Sequence, residues 1–170
     1  MKKLFLILLT ILFSSCGDAT VNQDQHVKKH GINSVKKHEI KSILDKNSRK
    51  NILNWKEYES VADNLKKFSS ISPNEALNNA LQLANLVKLM KDSIRPKDLI
   101  NDSFRTRVNV LENEALRLKD MTFINSISSK EVNQQVDKIM AAFSATISKI
   151  NTVYSQLEVE KEIQINSKIN

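Results

Sequence analysis

Cys16 is the single cysteine of this 170-residue chain. It stands directly after a ten-residue run, Leu4 to Phe13, that is apolar except for Thr10, and after the small pair Ser14-Ser15. A lone thiol closes no disulfide within one chain and builds no cysteine metal cluster. Left free outside the cell it would be open to oxidation, so the chemistry its position suggests is covalent capping. The other ligating side chains are His26, His30 and His38. His26 and His30 are four residues apart, a spacing that sets two imidazoles on one face of a helix, where they can share a metal ion. They are weak metal candidates. Lys28, Lys29, Lys36 and Lys37 surround them, and no carboxylate stands at helical spacing between them.

Catalytic motifs are otherwise absent. There is no Gly-x-Ser-x-Gly elbow. Both glycines, Gly17 and Gly31, precede residue 32, so the later chain has no glycine-rich phosphate loop. Beyond residue 50 it also has no histidine, which excludes there a histidine-ligated haem and the Glu-x-x-His arrangement of di-iron bundles. Glu112 and Glu114, spaced by two, point to different sides of a helix. No catalytic residue and no cofactor is therefore expected.

The elements that carry these residues fall into four stretches. Residues 1–15 read as an export signal. Lys2 and Lys3 precede an apolar run about half as long as a helix needs to cross a ~30 Å hydrocarbon core. Phe13-Ser14-Ser15-Cys16 resembles the lipobox of bacterial lipoproteins, although that family more often has leucine at the first position. The resemblance implies diacylglycerol on the Cys16 thiol, cleavage just before it, and acylation of the new amino terminus. Two or three acyl chains would hold the protein stably on a membrane, since each buried methylene adds ~0.8 kcal/mol.

Residues 16–50 read as a basic tether. Between Gly17 and Lys50 there are eight Lys/Arg against four acids, a net of +4 out of the formal +7 of the whole chain. A basic excess beside a lipid anchor is explained by solvation or by attraction to anionic headgroups, at ~1 kcal/mol per residue near the surface; nucleic acid is not an expected partner. Residues 17 to about 35 are polar and read as a flexible spacer. Val35, Ile40, Ile43 and Leu44 suggest a short helix running towards Asn51.

Residues 51–162 read as all-α, an antiparallel up-down four-helix bundle, with a frayed end over 163–170. Four stripes step by three and four. The first is Trp55, Tyr58, Ala62, Leu65 and Ser69, flanked by Val61 and Phe68. The second runs from Ala76 through Leu83, Val87 and Met90 to Ile94, and the third from Ile100 through Phe104, Val108, Leu111 and Ala115 to Leu118. The fourth runs from Val132 through Ile139, Phe143 and Ile150 to Tyr154 and Leu157. Ser72-Pro73-Asn74-Glu75 and Ser128-Ser129-Lys130-Glu131 are capping boxes, and Pro96 disfavours helix at Arg95. The last helix, Ser129 to about Lys161, should overhang the shorter three.

The segments Arg107 to Met121 and Ala142 to Tyr154 resemble small lipoproteins of flavobacteria, a likeness that implies an envelope location and transfers no activity. The expected function is that of a non-enzymatic, lipid-anchored cell-envelope protein. It would sit on a membrane through Cys16, and its bundle would dock an envelope protein or a second copy. The alternatives are a small apolar or anionic ligand held near Trp55 or near Arg105 and Arg107, and metal sensing through His26, His30 and His38. Leu86 and Leu89 lie off the second stripe and suggest an exposed apolar edge.

Overall fold

The computed structural model describes residues 31–169. The export signal, Cys16, His26 and His30 lie outside the described residues. The described chain is mostly helical: α1 (Lys46–Asn51), α2 (Lys56–Phe68), α3 (Pro73–Asp92), α4 (Asp102–Asp120) and α5 (Ser129–Ile169). Single 3-10 turns at Lys97–Leu99 and Met121–Phe123 bracket α4. A two-stranded antiparallel sheet joins β1 (Lys36–Lys37) to β2 (Ser70–Ile71), pairing Lys36 with Ile71 and Lys37 with Ser70.

Local chemistry starts and stops these helices. The Ser72 hydroxyl accepts from the Glu75 amide at 3.3 Å while the Glu75 carboxylate accepts from the Ser72 amide at 3.0 Å, and Pro73 fills the first turn. Ser128 and Glu131 repeat the exchange at the head of α5, at 3.2 and 3.0 Å. Each pair satisfies helix amides that would otherwise lack partners. At α4 the cap is Asn101, whose side chain accepts from the Phe104 amide at 2.9 Å. Pro96 sits in the extended geometry that ends the previous helix.

The apolar stripes converge on one core. Val61, Leu65, Leu83, Val87, Met90, Phe104, Val108, Leu111, Leu118, Val132, Ile139 and Ile150 are fully buried. Each such side chain contributes ~1.5–3 kcal/mol by leaving water. Helix α4 packs against both α3 and α5, α2 packs against α3, and the short α1 lies on α5. On α2 the buried face is centred on Val61, Leu65 and Phe68, while Ser69 is exposed. Before α4, Leu99 takes the buried place expected of Ile100, which faces solvent.

Two regions differ from the sequence reading. Helix α5 continues past the expected end near Lys161 to Ile169, 41 residues in all. No glycine or proline follows Pro96, and extending a helix that is already nucleated is nearly free of cost for residues such as Glu, Gln and Lys. The short helix expected from Val35 starts only at Lys46. Residues 38–45 run extended along α5, in the same direction, as a strap. Lys41 donates its amide to Ser144 Oγ at 2.9 Å, and Ser42 Oγ lies 2.8 Å from Ser148 Oγ. The Asp45 amide donates to Asn151 Oδ1 at 3.2 Å, and Asn151 Nδ2 donates to the Ile43 carbonyl at 2.8 Å. His38, Ile40, Ser42 and Leu44 turn inward while Glu39, Lys41, Ile43 and Asp45 turn out. That is the period of two of extended chain, and it lets side chains of α5 satisfy the strap backbone.

Candidate functional site

The strap brings into the folded body the one histidine among the described residues. The His38 side chain is fully buried, and its Nδ1 lies 2.6 Å from Asp137 Oδ1 on α5. Lys36 Nζ reaches the other carboxylate oxygen at 2.9 Å. The backbone of His38 is held too, its amide donating to the Ser69 carbonyl at 2.9 Å. Partial burial pushes the Asp137 carboxyl up, but the hydrogen bonds from Lys36 and His38 outweigh it and hold the group below the usual carboxylate range. This Lys-Asp-His group fastens the start of the strap to α5.

A histidine oriented by a carboxylate is half of a nucleophile–base system, so the sequence expectation of no histidine in the folded part is corrected. His38 Nε2 is buried and has no hydrogen-bond partner among the described residues. Among the described residues no group of three His, Cys, Asp or Glu is placed to hold a metal ion; the other two candidate ligands, His26 and His30, lie outside them.

Trp55 and Tyr58, candidates for a pocket mouth, are core residues, 1 % and 5 % exposed. Trp55 leans on Tyr58 and Phe104 with ring centroids 5.6 and 6.0 Å apart, and Tyr58 stacks on Phe143 at 5.6 Å. Burial raises the Tyr58 hydroxyl well above its ordinary value, against a smaller opposing effect of Arg49. A cavity of about 140 Å³ touches Trp55, Ile52 and Arg95, and the Arg95 guanidinium there is already engaged by Glu57 at 3.0 Å. Arg105 and Arg107 face solvent. Glu112 accepts from Lys91 Nζ at 2.6 Å, joining α3 to α4.

No family model matches the chain, and no curated protein or solved structure is similar to it.

The exposed apolar side chains are the remaining candidates. Leu89 on α3 is 57 % exposed, as is Leu81, whereas Leu86 is half-buried against the core. On α5 every residue from 158 to 168 is exposed, with Val159, Ile163 and Ile165 among them. No helix among the described residues is long and apolar enough to cross a membrane.

Proposed function

We propose that this is a non-enzymatic lipoprotein of the cell envelope, anchored through Cys16, whose four longer helices form an up-and-down bundle that docks a protein partner or a second copy. The observation that carries the reading is the separation of two ends. The position of a Cβ on Gly31 would lie 3.8 Å from Ser129 Oγ, so the chain leaves towards Cys16 beside the first residue of α5. At ~1.5 Å per residue, the 41 residues of α5 put its exposed end ~60 Å from that exit. A helix tip without tertiary cover, carried away from the membrane side, is suited to meet another protein.

Short connections between successive helices support the bundle topology, and the packing of α4 between α3 and α5 agrees with it. The Phe13-Ser14-Ser15-Cys16 end of the apolar run supports the anchor, as do the basic residues behind it. Fractionation of cells producing Cys16→Ala tests the attachment. The variant should leave the membrane fraction and accumulate unprocessed; unchanged membrane association would sink the lipoprotein reading. Crosslinking in intact cells tests the docking role, with a defined partner or a dimer expected through the distal end of α5. A protein that captures no partner and stays monomeric would refute it.

A further inference from the structure

The chain turns sharply between α4 and α5, and the turn sorts its apolar side chains into two sets. Met121 and Ile127 pack into the core, whereas Phe123 is 77 % exposed and Ile124 50 %. Local bonds hold that arrangement. The Ile124 amide donates to the Met121 carbonyl at 3.2 Å, and the Ile127 amide to the Ile124 carbonyl at 3.3 Å. Thr122 Oγ1 donates to the Lys119 carbonyl at 2.7 Å. With Met121 and Ile127 turned inward, the pair between them is presented to solvent.

A single exposed apolar residue is ordinary on a protein surface. An aromatic and an isoleucine side by side, with a third apolar residue at the same end, mark an interaction surface. The third is Val35, 61 % exposed, which lines a hollow at the head of α5 with Gly31, Ser129 and Lys130. This is the end from which the chain leaves for Cys16. Gly31 lies beside Ser129, and Phe123 and Ile124 come just before Ser129 in the chain. Helix α3 begins here too, since the Asn74 amide donates to the Ile32 carbonyl at 2.9 Å. Even fully extended, a chain as long as residues 16–30 spans only ~50 Å.

The charges around the turn are basic in excess. Arg117, Lys119 and Lys130 stand against Asp120 and Glu131, and Lys28 and Lys29 come shortly ahead of Gly31. Glu131 is engaged in capping α5, where its carboxylate faces the positive end of the helix and accepts from the Ser128 amide at 3.0 Å. Apolar side chains with basic neighbours suit the interface of an anionic bilayer.

We propose that Phe123 and Ile124, with Val35 at the same end, dip into the surface of an anionic phospholipid bilayer and set the head of α5 against it. The inference rests on the lipid anchor at Cys16 and adds a second, non-covalent contact beside it. Weak affinity suffices, because the anchor keeps this end at high local concentration over the bilayer. The contact would also give the distal end of α5 a direction, away from the membrane.

The test places a tryptophan at the turn. Lipidated protein carrying Phe123→Trp is reconstituted in vesicles of phosphatidylcholine and phosphatidylglycerol, with acyl chains brominated near the headgroups to quench indole emission. The parent protein supplies the background from Trp55, which is buried. Leu89→Trp is the control, since Leu89 is 57 % exposed on α3 but ~22 Å along that helix from Asn74. Phe123→Trp should lose at least about half of its added emission, as a residue ~5–10 Å into the interface would. Leu89→Trp should lose almost none, and quenching of Phe123→Trp should weaken in pure phosphatidylcholine. Undiminished quenching there would overturn the anionic assignment. Protein that floats with the vesicles while Phe123→Trp stays unquenched overturns the proposal and leaves the anchor standing, as does equal quenching of both variants. Protein that carries no acyl mass and fails to float overturns both readings.

Discussion

Replacing Asp137 by alanine removes the carboxylate that both Lys36 and His38 use, and the two lost contacts have very different weights. The Lys36–Asp137 pair is about half-exposed on both sides, at 47 % and 48 %. Such pairs contribute ~0–1 kcal/mol because solvent screens them. His38 is fully buried, and without Asp137 its imidazole would have neither nitrogen satisfied. An orphaned buried polar group costs ~1–3 kcal/mol, so Asp137→Ala should lose ~2 kcal/mol and Lys36→Ala less than ~0.5 kcal/mol. For a domain of this size the larger loss corresponds to a fall of ~6 °C in Tm. Urea unfolding followed through Trp55, the single tryptophan, would measure both. A double-mutant cycle with His38→Ala isolates the pair. The pH dependence has a definite sign. The folded Asp137 carboxyl is lowered, so its contribution is complete above the unfolded value of ~3.9 and is lost as pH falls through and below it. That acid sensitivity should be absent from Asp137→Ala. Equal losses for Asp137→Ala and Lys36→Ala, or a loss below ~0.5 kcal/mol for Asp137→Ala, would refute the weighting.

Phe143 is 1 % exposed and stacked on Tyr58, so Phe143→Ala should cost ~3–5 kcal/mol in urea unfolding; a loss near ~1 kcal/mol would mean that the core closes over the space left behind. Both tyrosines resist ionisation, chiefly through burial, Tyr154 up to about 12 and Tyr58 further. Because the unfolded phenol ionises near ~10, the folded state retains protons the unfolded state has released. Stability is therefore full below ~10 and lost as pH rises from there towards 12. Absorbance of tyrosinate should stay low until the protein unfolds, and a normal titration of both rings in the folded state would contradict this.

Much of the helical part was legible because its signals are local. Ser72 and Glu75, Ser128 and Glu131, and Pro96 mark boundaries through bonds spanning three residues or through one ring. Val132, Val136, Ile139, Phe143 and Ile150 lie on one stripe whatever they pack against. The strap was not legible from its hydrophobic residues, because Val35 and Ile43 point to solvent and break the inward pattern. A period of two was present in His38, Ile40, Ser42 and Leu44, but half of those residues are polar. The strap's partners on α5, Asp137, Ser144 and Ser148, lie about a hundred positions later. A pairing at that distance has no signature in a short window. Counting His38 as part of a solvated tether followed from the same gap, and so did the view that the folded part has no histidine.

The direction of the strap has a mechanical consequence. Its contacts climb α5 in step, from Lys36 and His38 on Asp137, through Lys41 on Ser144 and Ser42 on Ser148, to Asp45 on Asn151. Tension on the chain ahead of Gly31, opposed by a grip on the far end of α5, pulls the strap along its own length. The contacts then bear the load together in shear rather than opening one after another like a zipper. Pulled sideways from the same end, the Lys36–Asp137–His38 group would take the force first and the rest would peel in sequence. Unfolding under force is governed by the rate of the barrier crossing, so the same bonds would make the protein a stiff link in one direction and a weak one in the other.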